Sequence, residues 1–300
     1  MTRSTGHPLR SVIGLSAAMT TPFTAAGDID WGRYAAHAVD LLTRGMQVVT
    51  AFGTTGEGIS VPLATRAALY EQMTARGIRA GQLVECVYGL SVADAAAHAR
   101  RSLEAGCAAV LLTPPFYFKD PTDAGIYDWF SRTLDAIGPA ARDIILYNIP
   151  QLTGVTVDLN SLARLRAAFG AVIGGVKDSG GNWAYTEKLT RANADIAVLV
   201  GNEGHLAAAV RLGASGAISG LANFAPELVG RLVSGIDDSR IDGLLRAVLA
   251  RPVVPAIKAY MGAKLDPAWR EVLPPLQSLD AAATAALVAE IDTALTGVAA

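Results

Sequence analysis

Lys177 stands where a lysine is costly unless chemistry calls for it. The run before it, Ala171-Val172-Ile173-Gly174-Gly175-Val176, is apolar and of strand length, and it delivers Lys177 into the turn-rich Asp178-Ser179-Gly180-Gly181. A lysine at the end of a buried strand sheds hydration, which disfavours the ammonium form. The neutral amine attacks ketones and forms Schiff bases. The bland alternatives are a salt bridge to Asp178 or a surface lysine with a solvated head.

Other short apolar runs also end in polar, reactive groups. These ends are Gly53-Thr54-Thr55-Gly56-Glu57-Gly58, Thr113-Pro114-Pro115-Phe116-Tyr117-Phe118, Tyr147-Asn148-Ile149-Pro150, Gly201-Asn202-Glu203-Gly204 and Ser219-Gly220. Gly53, Thr54 and Thr55 offer backbone N–H groups and two hydroxyls suited to a carboxylate, although the same residues also make plain turns. A phenol such as Tyr147 beside a neutral lysine can relay protons during carbinolamine dehydration and C–C bond making or breaking. The structural alternative is a buried tyrosine with a satisfied hydroxyl. Tyr117 lies in an aromatic cluster and by itself reads as structural. Glu203 and His205 sit at a helix start, where the helix dipole already favours a first-turn glutamate.

These groups need a scaffold that brings strand ends together. Strands are expected at Val12–Met19, Gln47–Phe52, Gln82–Gly89, Ala108–Leu112, Asp143–Asn148, Ala171–Val176, Ile196–Gly201 and Ala214–Ser219. Helical segments alternate with them at Trp31–Arg44, Leu63–Arg79, Val92–Ala105, Ala124–Ile137, Leu159–Phe169, Trp183–Ala192 and Glu203–Leu212. The strand runs are continuous rather than alternating, as in strands covered by helices. Eight such repeats predict an α/β fold, a (β/α)8 TIM barrel, whose chemistry sits at the C-terminal strand ends. No Gly-x-Gly-x-x-Gly follows the first strand, against a dinucleotide fold. The expected division is a catalytic barrel over residues 1–225 and a helical extension over 226–300, with a final amphipathic helix at Ala281–Leu295.

Composition narrows the class. Hydrophobic residues make up 51% and charged ones 17%, enough apolar side chains for a large core. A formal charge of -2 excludes a broad basic surface for nucleic acid. Met1–Arg10 is polar and no apolar run reaches the length of a membrane span. Cys86 and Cys107 lie in or beside apolar segments and read as reduced thiols of a cytosolic protein. His7, His37, His98 and His205 are scattered, so no metal or other cofactor is expected.

Taken together, these motifs resemble the dihydrodipicolinate synthase / N-acetylneuraminate lyase family of class I, pyruvate-dependent aldolases. Gly53-Thr54-Thr55-Gly56-Glu57 is similar to the family's pyruvate-carboxylate loop. Tyr147-Asn148-Ile149-Pro150 is similar to its catalytic tyrosine motif, and Gly175-Val176-Lys177-Asp178-Ser179 to its Schiff-base lysine motif. Gly213-Ala214-Ser215-Gly216-Ala217-Ile218-Ser219 resembles the glycine-rich eighth strand. The resemblance runs from about Gly14 to Pro275.

It implies that Lys177 forms an imine with pyruvate and that Tyr147 is the general acid/base. Thr54 and Thr55 would grip the carboxylate, with Thr54 also in the proton relay, and the backbone around Ile218 would face the keto acid. A further relay tyrosine, shared across a subunit interface of a homotetramer, would fall on Tyr117 or leave Phe118 in its place.

Leu152, with the Tyr117/Phe118 register, departs from the family pattern, and the loop at Gly201 also bears on substrate. The family's dihydrodipicolinate synthases carry a carboxylate-binding arginine where this chain has Leu152. Gly201-Asn202-Glu203 replaces an acidic substrate loop, and Asn202 and Glu203 could bond hydroxyls of a sugar acid. The favoured expectation is an aldolase for a 2-keto-3-deoxy or 4-hydroxy-2-keto acid, with pyruvate and an aldehyde as partners. The alternatives are dihydrodipicolinate synthase itself, a family dehydratase, a non-catalytic keto-acid-binding barrel, or a metal-dependent class II aldolase.

Overall fold

Eight short parallel strands close into a barrel in sequence order. They are β1 (Leu15–Ala18), β2 (Val48–Ala51), β3 (Leu83–Val87), β4 (Ala109–Leu112), β5 (Ile144–Asn148), β6 (Ile173–Asp178), β7 (Ala197–Val200) and β8 (Gly216–Ser219). The computed structural model describes residues 6–89 and 91–297. The first residues of the polar N-terminal stretch and the last three of the chain lie outside the described residues.

Each strand is buried along its whole length, because one face meets the barrel interior and the other the helices. Val48, Val84, Cys86, Leu111, Ile145, Leu199 and Ile218 form the interior cluster. Their neighbours Val49, Leu83, Val110, Leu112, Val176 and Val198 belong to the larger core under the helices.

The helices are α1 (Leu9–Val12), α2 (Trp31–Thr43), α3 (Leu63–Arg66), α4 (Leu69–Thr74), α5 (Val92–Glu104), α6 (Asp123–Ile137) and α7 (Pro150–Thr153). There follow α8 (Leu159–Phe169), α9 (Trp183–Ala192), α10 (Glu203–Arg211), α11 (Pro226–Val233), α12 (Arg240–Leu249), α13 (Val253–Lys264) and α14 (Ala281–Thr296). Asp30, Ser91, Thr122, Asp158, Asn182 and Asn202 each accept a first-turn N–H of the helix that follows, which fixes where those helices begin.

The single helix expected over Leu63–Arg79 is instead α3 and α4. The break coincides with Arg66 turning inward, its Nε donating to the Val61 carbonyl at 3.0 Å. α4 stops at Thr74 because Gly77 takes a left-handed conformation (φ +87°) and the N–H of Ile78 closes on Met73.

α11 packs on β1 and β8 and completes the helical layer. We propose that the barrel runs through Val233, and that the extension starts after this helix rather than at residue 226. Within the extension α13 is buried almost throughout, from Val254 to Gly262.

One irregularity sets the site. β5 pairs with β6 as Ile144↔Ile173 but then as Ile145↔Gly175, so Gly174 is an extra residue in β6. In a regular strand side chains alternate faces, and a one-residue slip moves them all to the opposite face. Ile173 and Val176 both pack in the outer core. The bulge therefore reverses the alternation and turns Gly175 and Lys177 inward. A Cβ at position 174 would lie 2.4 Å from Leu9 Cδ1 and 2.8 Å from His7 Cε1, so a larger residue there requires those side chains to move.

Candidate active site

β6 runs to Asp178, so Lys177 lies inside the strand rather than beyond its end as expected. It pairs in register with Tyr147 of β5, both side chains entering the barrel. Lys177 is 4% exposed. Its Nζ donates to Tyr147 Oη at 3.2 Å and lies 4.4 Å from that ring's centroid.

Asp178 faces the other way. Its carboxylate accepts from Asn148 Nδ2 (2.8 Å), the Gly180 N–H (3.0 Å) and Thr186 Oγ1 (2.6 Å). The salt bridge considered for Lys177 is thus absent, and no carboxylate among the described residues pairs with this lysine.

The Tyr147 hydroxyl lies 3.5 Å from Thr54 Oγ1, giving a line of polar atoms from Lys177 through Tyr147 to the loop after β2. In that loop the Gly53 carbonyl accepts from the Gly56 and Gly58 N–H groups, and the Thr54 carbonyl from Glu57. The N–H groups of Thr54 and Thr55 find no partner among the described residues, as an anion site requires. Thr55 packs toward β8, its Oγ1 3.4 Å from where a Cβ of Gly220 would stand. The tight winding needs Gly58, whose Cβ would fall 1.8 Å from the Phe52 carbonyl oxygen.

A buried ion pair holds this loop from outside. Glu57, 3% exposed, adopts a left-handed conformation (φ 53°). Lys258 of α13 donates to its Oε1 at 2.6 Å and to the Thr21 carbonyl at 2.9 Å. The Leu273 N–H donates to its Oε2 at 2.7 Å. Burial pushes the Lys258 ammonium toward its neutral form, and the Glu57 charge opposes that shift.

The remaining expected residues are placed as follows. Ile218 lies in the interior cluster with Tyr147. Asn202 caps α10, its Oδ1 accepting from the Gly204 N–H. Glu203 is buried with its Oε1 accepting from Ser219 Oγ at 2.5 Å and from the Leu221 N–H. Burial pushes its carboxyl upward, against Ser219, backbone N–H groups and Lys177. Glu203 therefore ties the β7 end to the β8 end before it offers anything to a ligand. Tyr117 does not join the group in this chain: it is 71% exposed, as is Phe118 at 78%, and the two rings pack edge to face. Leu152 on α7 is 57% exposed, with no guanidinium there.

Glu57 and Lys258 had not been assigned roles, although a lone charge in the apolar stretch Val254-Pro255-Ala256-Ile257-Lys258-Ala259-Tyr260-Met261 was a signal. Tyr88, just past β3, packs against the interior cluster that contains Tyr147.

Tyr147→Phe keeps the ring and its packing but removes the oxygen between Lys177 and Thr54. The expected outcome is an aldol rate lower by about 10²–10⁴-fold, the range for one acid/base group. Part of the imine formation is retained, and single-turnover kinetics with pyruvate separates the two steps.

Comparison with known proteins gives this arrangement a family. The profile of the dihydrodipicolinate synthetase family matches residues 11–293. An uncharacterized DapA-like lyase of Chloroflexus aurantiacus is 32% identical over 95% of this chain and 97% of its own. 4-Hydroxy-tetrahydrodipicolinate synthase 1 of Streptomyces coelicolor is 31% identical over 83% of this chain and 78% of its own. The crystal structure of dihydrodipicolinate synthase from Agrobacterium tumefaciens superposes with a TM-score of 0.92 at 42% identity, covering 94% of this chain and 99% of that one. The chain thus belongs to the dihydrodipicolinate synthetase family of pyruvate-dependent class I aldolases and lyases, built on a (β/α)8 barrel.

Proposed function

We propose that this protein is a Schiff-base aldolase that forms or cleaves a 2-keto-3-deoxy or 4-hydroxy-2-keto acid, using or releasing pyruvate. The observation that carries the reading is the buried Lys177 amine, without a carboxylate partner among the described residues and 3.2 Å from the Tyr147 hydroxyl.

The Lys177 amine adds to the keto carbon of pyruvate, and the carbinolamine oxygen leaves as water once protonated through Tyr147. The resulting iminium loses a methyl proton to give an enamine. That carbon attacks the aldehyde, forming the new C–C bond, while the aldehyde oxygen takes up a proton through the Tyr147–Thr54 hydroxyls. Water then cleaves the imine and frees Lys177. Throughout, the open N–H groups of Thr54 and Thr55 hold the pyruvate carboxylate, and the Ile218 backbone faces the keto acid. Cleavage runs the same steps backwards.

Leu152 supports an acceptor other than a semialdehyde held by its carboxylate, since a leucine there replaces a bidentate clamp. Asn202 lies at the same rim, suited to an acceptor bearing hydroxyls. A second reading, 4-hydroxy-tetrahydrodipicolinate synthesis, is favoured by the 42% identity to the Agrobacterium synthase. The exposed Tyr117–Phe118 pair supports an oligomer in which a second copy covers this segment.

Peptide mass spectrometry after incubation with pyruvate and borohydride tests the mechanism. The expected result is a reduced adduct on Lys177. Pyruvate binding without an adduct would end the Schiff-base reading. A panel of aldehydes, aspartate semialdehyde included, then separates the two substrate readings.

A further inference from the structure

Tyr147 and Lys177 face the barrel interior, so Asn148 and Asp178, which follow them, face the helices. Both are buried. Asn148 Nδ2 donates to Asp178 Oδ1 at 2.8 Å, a side-chain bond laid across β5 and β6 behind the Lys177–Tyr147 contact. The amide cannot be turned round. Its Oδ1 accepts the Val157 N–H at 3.0 Å, so its NH₂ must face the carboxylate. The Val157 carbonyl is held in turn by the Tyr185 hydroxyl at 2.6 Å. Asp178 also accepts from the Gly180 N–H and from Thr186 Oγ1, which ties the same carboxylate to α9. The bulge gives this bond its meaning. Asn148 lies opposite Asp178 only because Gly174 is the extra residue. Without the bulge, pairing on from Ile144↔Ile173 would set Asn148 opposite Lys177 and turn the lysine outward.

We propose that Asn148 and Asp178 are positioning residues, a clasp on the outer face of β5 and β6 that holds the bulged register and, through it, the contact of Lys177 Nζ with Tyr147 Oη. The inference rests on the Schiff-base reading given above. The two glycines at 174 and 175 permit the bulge, and the clasp holds it, because the Asn148–Asp178 bond exists in that register alone. Neither residue faces the pocket, so both act through the strands that carry Tyr147 and Lys177. Proton exchange between the phenol and the centre forming on the lysine needs the two groups in line. A misplacement of about 1 Å in such a pair costs about 10²-fold in rate. The pyruvate-carboxylate loop after β2 is anchored separately, by Glu57 and Lys258. The clasp therefore governs kcat and leaves pyruvate binding to that loop.

Asn148→Leu keeps the side-chain volume and removes both of its hydrogen bonds. Aldol turnover is measured per Lys177 site trapped by pyruvate and borohydride, so a loss of folded protein does not enter the rate. The expected result is a kcat per trapped site lower by about 10–100-fold, with pyruvate KM within about threefold of wild type. A folded variant that traps no pyruvate has turned Lys177 outward and supports the clasp equally. A wild-type kcat per site, or a loss confined to KM, overturns the proposal. Asn148→Asp sets two carboxylates face to face and is expected to fall as far. Adding Asp178→Asn exchanges the two groups and restores one N–H···O bond across the strands, although the Gly180 N–H then loses its acceptor. The double variant is expected to gain about tenfold in kcat per trapped site over Asn148→Asp. This exchange decides the matter where Asn148→Leu does not fold. A double variant no better than Asn148→Asp, or Asn148→Asp as fast as wild type, overturns the clasp. A wild-type protein that forms no adduct would instead overturn the Schiff-base reading.

Discussion

Lys177→Ala is expected to lower aldol turnover by at least about 10⁴-fold, the scale on which loss of a covalent nucleophile acts. No borohydride-stable adduct should form with pyruvate. The fold should survive, because the change breaks no ion pair. Asp178 already spends its carboxylate on Asn148, Thr186 and the Gly180 N–H. The side chain lost is an interior lysine whose one hydrogen bond among the described residues is to Tyr147. Removing it spares the barrel the burial of a polar head group, which offsets the small cavity left behind. Lys177→Arg should be equally inactive, since a guanidinium stays protonated and cannot form the imine. Denaturant unfolding near the wild-type midpoint, together with loss of the adduct, would establish the role. Wild-type rates in either variant would remove the mechanism.

The barrel was legible because its strands are continuous apolar runs separated by helical segments; seven lie within the expected spans, and β6 runs two residues past its own, to Asp178. The reactive rim was legible for the same reason: strand ends converge in a barrel, so six scattered motifs reduce to one place. The inward turn of Lys177 was not legible. It depends on a bulge at Gly174, and nothing in two adjacent glycines says which of them is the extra residue. Tyr117 shows the opposite limit, since a residue expected at an interface stays exposed in a single chain. Glu57 and Lys258 lie far apart in sequence, and no local pattern links a loop after β2 to a helix of the C-terminal extension.

That last pair carries the second large expected effect. Lys258→Met leaves the Glu57 carboxylate fully enclosed, with the Leu273 N–H as its one remaining partner among the described residues. Removing one partner of a buried pair costs about 3–5 kcal/mol, to be read from the shift in denaturant unfolding. Glu57→Gln strands the ammonium in the same way, against the Thr21 carbonyl. Glu57→Gln combined with Lys258→Met places neutral side chains on both sides and should recover most of the loss. A double-mutant cycle therefore gives a coupling well beyond the additive case. The consequence reaches the site because these contacts, with the backbone bonds of the turn, hold Glu57 in its left-handed conformation two residues from Thr55. With the anchor gone, the loop can relax toward ordinary backbone angles, and the Thr54 and Thr55 N–H groups lose their common aim. Pyruvate KM should then rise in Lys258→Met, while saturating pyruvate restores much of kcat, because Lys177 and Tyr147 sit on strands that the pair does not touch. Additive single variants, or a pyruvate KM unmoved by either, would show that the pair stabilises the fold without positioning the loop.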